Sequence, residues 1–300
     1  MPKSILKTPG ELSIRNKLKA ILENRLDGAT AIEDAAFVLA LDILSNVEIA
    51  AGVKIKSLRY CFEGLKNRFP LMANIQSISD FIFTTIGESG IENLKTRLSR
   101  YRQDIETHRK HSIITAARQI RQYRTILTIS NSTMVRQAIL EASKQGWKGK
   151  ILISESRPRN EGTIQAYTLA KAKIDIVLGV DALLQTFVSL CDAVFLGADC
   201  VTEIYHVNKI GTAIVVAEAE RLRRPVYLVI DKAKLITSAK CQFTPDTNPP
   251  QEVSDRCSKH LTIINQYFEA VRPTASINYI YGQDIKDQKG ILRILALKYR

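Results

Sequence analysis

Ala193-Val194-Phe195-Leu196-Gly197-Ala198-Asp199 is the stretch on which the reading of this chain turns. Four consecutive apolar residues without polar alternation read as a strand buried on both faces, the habit of a parallel sheet. Gly197 turns the chain, and a carboxylate follows at the carboxyl end of the strand. Beyond it, Asn208-Lys209-Ile210-Gly211-Thr212 reads as a loop with a lysine, then a glycine that opens an apolar-periodic helix. A carboxylate so placed, with a lysine and free helix N–H groups nearby, can hold an anionic ligand and move a proton.

Five more apolar runs, at 125–129, 151–153, 174–178, 226–230 and 277–281, have the same texture. Helical segments at 134–143, 164–172, 181–190 and 212–223 separate all but the last. Strands alternating with helices predict an α/β fold with a parallel sheet covered on both faces. Such sheets take ligands beyond the carboxyl ends of their strands. Those ends carry Ser130, Ser154-Glu155-Ser156-Arg157, Asp181, Asp199 and Asp231. The segment 242–254, with three prolines, reads as a surface loop.

Upstream, residues 13–123 are helical in pattern. Ala31, Ile32, Ala35, Ala36, Leu39, Ala40, Ile43 and Leu44 recur at three- and four-residue spacing. Gly28 is expected to end one segment and Thr30 to cap the next. Further helices are predicted at 57–66, 75–86 and 91–122, with breaks at Phe69-Pro70 and at 87–90. The chain therefore divides into an all-helical domain, 1–122, and a parallel-sheet domain, 123–300.

Composition is that of a globular protein: 300 residues, 45% hydrophobic and 24% charged. No uncharged apolar run approaches the ~18 residues of a membrane span. The early charge in Met1-Pro2-Lys3-Ser4-Ile5 argues against a secretory signal. Five cysteines without a Cys-x-x-Cys pair predict a reduced, cytoplasmic protein without a zinc site. There is no Gly-x-Gly-x-x-Gly after the first strand, no P-loop and no His-Glu-x-x-His, so neither cofactor nor metal is expected. The net charge of +13 concentrates in 95–124, where nine Lys or Arg face only Asp104 and Glu106. That segment reads either as a solvated helix face or as a contact for a nucleic acid or acidic partner. His108 and His111 within it read as surface residues, whereas His206, between Asp199 and Lys209, reads as a loop residue within reach of a ligand.

Glu155-Ser156-Arg157-Pro158-Arg159-Asn160-Glu161-Gly162, then Gly197-Ala198-Asp199, then Asn208-Lys209-Ile210-Gly211-Thr212 resemble, in this order and spacing, one superfamily. It comprises the alpha, beta and delta subunits of translation initiation factor two-B, methylthioribose-1-phosphate isomerase and ribose-1,5-bisphosphate isomerase. Thr125-Ile126-Leu127-Thr128 is similar to its first-strand motif, and Tyr267-Phe268-Glu269 with Pro273 to its late motif. Asp27-Gly28-Ala29 stands at the place of the family's Arg-Gly-Ala. The resemblance implies a helical domain joined to a Rossmann-like domain, assembly as a homodimer or larger homo-oligomer, and a sugar phosphate or nucleoside monophosphate as ligand. It implies Asp199 and the residue at the cysteine position, Ser130, as the catalytic pair. It implies Gly28, Ala29, Arg157, Asn208, Lys209 and Lys234 as substrate contacts.

The departures separate the branches. The isomerases carry Thr-His-Cys-Asn where this chain has Thr128-Ile129-Ser130-Asn131. A thiol, with a pKa near ~8.5, can act as an acid; a serine hydroxyl cannot do so unassisted. Asp27 replaces an arginine that grips phosphate, and a carboxylate there repels it. These losses favour a regulatory or binding protein of the initiation-factor type that keeps its pocket. Arg157-Pro158-Arg159, Asp199, Asn208, Lys209 and Lys234 favour the alternative, an aldose–ketose isomerase acting on a ribose 1-phosphate-type sugar with Asp199 as acid or base. A nucleic-acid scaffold is the third reading, supported only by the basic segment. Blander expectations stand beside these. Asp199 and Lys209 pair to shape a loop, Glu155 pairs with Arg157 or Arg159, Trp147 plugs the turn before the second strand, and Cys200 is a small buried apolar residue or a relocated thiol.

Overall fold

The computed structural model describes residues 9–24, 28–256 and 258–299. Asp27 and Cys257 lie outside the described residues. The chain forms two compact units, 1–106 and 107–300.

The first unit is helical. Helices α1 (Pro9–Glu23), α2 (Ala29–Ser45), α3 (Ala51–Arg68), α4 (Ala73–Ser89) and the start of α5 (Leu94–Ile120) make it up. The apolar stripe of α2 buries Ile32, Ala36, Phe37, Leu39, Ala40 and Ile43, with α1, α3 and α4 packed against the helix. Gly28, not Thr30, caps α2: Gly28 is extended, and its carbonyl accepts from the Ala31 N–H at 3.0 Å. Thr30 already lies inside the helix, so it cannot supply the cap. Buried Asn74 donates to the Ala29 carbonyl at 2.6 Å, tying α4 to the start of α2. Gly87 does not break α4. A single glycine is tolerated there, and the helix stops at Gly90, whose φ of 72° suits glycine.

The second unit is built on a seven-stranded sheet. All six apolar runs become strands: β1 (Thr125–Thr128), β2 (Lys150–Ser154), β3 (Asp175–Gly179), β4 (Ala193–Leu196), β7 (Val226–Ile230) and β9 (Ile277–Tyr281). They are parallel in the order β3-β2-β1-β4-β7-β9, and β10 (Asp284–Lys286) adds an antiparallel edge. Alternate residues serve opposite faces. Ile126, Ala193, Phe195, Tyr227 and Val229 pack with residues 116–120 of α5, with α6 (Thr133–Lys144) and with Leu169 of α7 (Glu161–Lys171). Leu127, Val194, Leu196, Leu228 and Ile230 pack with α8 (Leu184–Leu190), α9 (Thr212–Arg221) and α10 (Gln288–Lys298). Two buried faces favour apolar side chains in the central strands, and the Tyr227 hydroxyl is accommodated by Gln119 and Tyr123 at 2.8 Å each. Trp147 does fill the turn before β2: its Nε1 donates to the Tyr123 carbonyl at 2.8 Å, and its ring lies against Gly149.

Four strands escaped the sequence reading. One is β10; the others form a small antiparallel sheet, β5 (Cys200–Val201), β6 (His206–Lys209) and β8 (Phe268–Val271), in the order β5-β6-β8. Asn208 and Lys209 therefore sit on a strand, not in a loop. His206, also on β6, is fully buried, and among the described residues neither ring nitrogen has a hydrogen-bond partner. Burial pushes its pKa down from 6.5 to about 4.

The basic segment is not a uniform solvated face. Within the first unit Arg97 pairs with Glu88, and Arg102 with Glu106 and Asp34. Within the second, Arg109 Nε meets Asp231 Oδ2 at 2.8 Å, with side chains 9% and 0% exposed. Ser112 donates to the Ile230 carbonyl and accepts the Gly282 N–H, each at 2.8 Å, and Thr115 donates to the Gly282 carbonyl at 2.9 Å. This end of α5 is thus fastened to the carboxyl ends of β7 and β9. His108 corrects the surface reading, since its ring packs edge-on against Tyr281 at 4.2 Å and close to Gly282.

Removing one partner of a buried ion pair leaves an uncompensated charge. Arg109→Met is expected to cost about 3–5 kcal/mol in urea unfolding, and adding Asp231→Asn to recover part of it. His206 gives a pH test. The folded state keeps the imidazole neutral while the unfolded chain protonates it near 6.5, so stability falls as pH drops from 6.5 towards 4. Between pH 7 and pH 5 the wild type should lose about 2 kcal/mol more than His206→Leu, measured by urea unfolding at both pH values.

Candidate functional site

The sheet reverses its strand order between β1 and β4: the chain runs outward through β2 and β3, then returns to β4 on the other side of β1. A crevice opens at such a switch point, beyond the strands' carboxyl ends. Ser130 follows β1 and Asp199 follows β4. The two strand ends are in contact, because a Cβ added at Gly197 would stand 2.6 Å from Ser132 Oγ.

On the β1 side, Ser130 adopts φ 61°, and its N–H donates to Ser156 Oγ at 2.8 Å. Ser156, at φ 62°, is held in turn by Asp181, whose carboxylate accepts the N–H groups of Ser156 at 2.8 Å and Arg157 at 2.7 Å. The loops after β1, β2 and β3 are thereby knitted together. The start of α7 closes on them so tightly that a Cβ at Gly162 would lie 1.8 Å from the Ser154 carbonyl oxygen. No carboxylate, histidine or lysine of the described residues hydrogen-bonds the Ser130 hydroxyl, so nothing in the resting site activates it.

On the β4 side, the Asp199 N–H donates to the Val207 carbonyl at 2.8 Å, which fixes the residue at the base of the β5–β6 hairpin. Its side chain reaches solvent at one edge and has no hydrogen-bond or ion-pair partner among the described residues. Burial raises the carboxyl pKa; Lys234 opposes the rise, Glu161 adds to it, and Lys209 opposes it. Desolvation wins over the two cations, so the group holds its proton above the ordinary aspartate range.

Those neighbours come from three different elements. Lys209, on β6 and 3% exposed at its side chain, pairs with Glu161 Oε2 at 2.8 Å. It does not pair with Asp199, because Glu161 at the start of α7 takes the ammonium first. Lys209 Nζ also lies 5.4 Å from the centre of the Tyr267 ring. Lys234 sits on a turn built by Asp231, whose Oδ1 accepts the Ala233 N–H at 2.9 Å and whose carbonyl accepts the Lys234 N–H at 3.1 Å. Lys234 is 3% exposed and makes no ion pair among the described residues. The Arg109 pair therefore positions the turn that presents Lys234.

The remaining candidates are spoken for in other ways. Asn208 Nδ2 donates to Thr212 Oγ1 at 3.0 Å, and Thr212 Oγ1 donates to the Lys209 carbonyl at 2.6 Å. Glu269 accepts the Ala213 N–H at 2.9 Å, so both residues serve the start of α9. Arg157 is exposed, and its Nη2 donates to the carbonyls of Glu252 at 3.1 Å and Val253 at 3.4 Å. Arg159 lies over the Tyr267 ring at 5.3 Å. Glu155 makes no ion pair with either arginine, because both are drawn to the 250 loop and Tyr267. Gly28 and Ala29 belong to the helical unit, where they open α2.

Asp199, Lys209 and Lys234 thus come together in the second unit. The residue the sequence reading passed over is Glu161. It stood in the quoted motif as a carboxylate beside Gly162, but its partner lies on another element. The cluster pairs a proton-holding carboxyl with buried cations suited to an anionic ligand. Among the described residues no group of three or more His, Cys, Asp or Glu is placed to hold a metal ion.

The sequence profile of the initiation factor 2 subunit family, IF-2B, matches residues 17–280. The ribose 1,5-bisphosphate isomerase of Archaeoglobus fulgidus is 27% identical over 183 residues, 60% of this chain and 58% of that protein. The match thus spans less than two thirds of that relative. The putative translation initiation factor eIF-2B subunit 2-like protein of Pyrococcus furiosus is 28% identical over 212 residues, 69% of this chain and 74% of that one. The crystal structure of the translation initiation factor eIF-2B of Pyrococcus horikoshii OT3 superposes with a TM-score of 0.77 at 21% identity, covering 91% of this chain and 96% of that chain. That likeness concerns the fold. With the profile extending from the helical unit to β9, the chain belongs to the initiation factor 2 subunit family.

Proposed function

We propose that the second unit binds a phosphorylated pentose and that Asp199 moves the proton in an aldose–ketose isomerisation of a ribose 1-phosphate-type sugar. The observation that carries this reading is the Asp199 carboxyl itself, crowded by protein, unpartnered and set among Lys234, Lys209 and Glu161. An aldose 1-phosphate cannot open its ring while the anomeric oxygen is esterified. A proton must first reach the ring oxygen, and hydrogen must then pass from C2 to C1. A carboxyl that keeps its proton above the usual range suits the first step, and its conjugate base suits the second. The buried ammonium of Lys234 offers the phosphate a charge that no protein carboxylate has already claimed.

A second reading is favoured by Ser130. With no base on its hydroxyl and no thiol at that position, the same pocket would sense a sugar phosphate or nucleoside monophosphate in a regulatory protein of the initiation-factor kind.

The test is turnover and thermal shift with ribose 1,5-bisphosphate, ribose 1-phosphate, methylthioribose 1-phosphate and nucleoside monophosphates. Ketose formation that falls about 10²–10⁴-fold in Asp199→Asn is the expected result for the isomerase. Stabilisation without turnover supports the sensing pocket instead, and no response to any of them overturns both.

Asp199 also makes a prediction that needs no ligand. The folded state holds the carboxyl proton above the ordinary 3.8, so its contribution to stability is full below that value and lost as pH rises through the raised one. Asp199→Asn should therefore have the higher thermal midpoint at pH 8, and the gap should close as the buffer is taken towards pH 4. A gap that is constant with pH would show that the carboxyl titrates alike in the folded and unfolded chain.

A further inference from the structure

The turn that presents Lys234 is also held from the side of α10. That helix lays Ile291 and Leu295, both buried, into the core shared with Leu228, Ile230 and Tyr279. Lys298 follows Leu295 by three residues and so continues the same face of the helix. Its ammonium donates to the Leu235 carbonyl at 2.6 Å and to the Lys232 carbonyl at 3.0 Å. One cation thereby bridges the backbone on either side of Lys234. The Tyr299 hydroxyl donates to the same Leu235 carbonyl at 3.4 Å. The Tyr299 ring centre lies 5.4 Å from Lys298 Nζ and 5.2 Å from Lys240 Nζ.

These contacts fall between two other attachments of the same segment. Before Lys234, the two carboxylate oxygens of Asp231 accept from Arg109 and from the Ala233 N–H. After it, Leu235 bridges to Val201, and the Ile236 N–H donates to the Val201 carbonyl at 3.0 Å, in the hairpin that follows Asp199. Lys298 spans the residues in between. A hydrogen bond from an ammonium is charge-assisted and roughly twice as strong as a neutral one. Without that donor the carbonyls of Lys232 and Leu235 would turn towards water, and Lys234, 3% exposed, would move with them.

We propose that Lys298, with Tyr299, is a positioning residue that keeps the Lys234 ammonium inside the site, so that α10 tunes the affinity for an anionic ligand by acting through Lys234. The affinity claim rests on the reading of Lys234 as the phosphate contact; the placement of Lys234 does not. Two substitutions separate charge from bulk. Lys298→Arg keeps a cation that can donate to both carbonyls, whereas Lys298→Met keeps a side chain of similar length and removes the donor.

The test is acetylation of the whole folded chain with acetic anhydride, read lysine by lysine by mass spectrometry. Reagent is kept below one modification per chain, because acetylating Lys298 would itself break the contact. In the wild type, buried Lys234 and Lys209 should react slowly beside exposed Lys171. In Lys298→Met, Lys234 should react about ten-fold faster, the scale of one charge-assisted hydrogen bond, while Lys209 keeps its wild-type rate. Lys298→Arg should restore the protection, and circular dichroism melts establish that the variants are folded. Lys234 as protected in Lys298→Met as in the wild type overturns the proposal. Equal gains at Lys209 and Lys234 also overturn it, since they would mean a general loosening. Calorimetric titration with ribose 1,5-bisphosphate tests the affinity claim: Lys298→Met should bind about ten-fold more weakly, and Lys298→Arg should recover. Equal affinities of wild type and Lys298→Met overturn that claim. A wild type that binds no sugar phosphate removes the functional reading instead, and the acetylation rates still decide how Lys234 is held.

Discussion

Both faces of the central strands β1, β4 and β7 are covered by apolar helix residues, and the position of the candidate site follows from that constraint. A strand buried on both sides favours apolar side chains, so charged groups collect where the strands stop. Ser130, Ser156, Asp181, Asp199 and Asp231 all stand at carboxyl ends. The reversal of strand order between β1 and β4 then decides which of those ends face one another. The fold thus chooses the location of the chemistry before any particular residue contributes to it.

Within that frame the polar groups are arranged by a few buried contacts. Arg109 satisfies one oxygen of Asp231 and the Ala233 N–H the other, so this carboxylate is spent on holding a turn. Asp181 is likewise committed to two backbone N–H groups. Asp199 is the exception among the strand-end carboxylates just named, with burial to raise its pKa and no partner to lower it decisively. Glu161 matters here because it draws the charge of Lys209 towards itself. Without that pairing Lys209 would be available to Asp199, and the carboxyl would lose part of the pressure that keeps it protonated.

The central strands were legible in the sequence because hydrophobic patterning is local. Six continuous apolar runs identified six strands, and the family motifs placed Asp199 at the end of one of them. The small β5-β6-β8 sheet was not legible. Its strands are two to four residues long, and one contains His206, Asn208 and Lys209, which carry no apolar period to detect. The cap of α2 was misread for a similar reason, since Thr30 is a good capping residue but lies inside the helix. Partners were the larger omission. Lys209 meets Glu161 from 48 residues away, and Arg109 meets Asp231 from 122. By itself the sequence determined the α/β layer architecture and the strand that ends at Asp199. Tertiary structure alone decided which charges pair and which are buried unpaired, because desolvation and Coulomb attraction act between neighbours in space and leave no periodic trace along the chain.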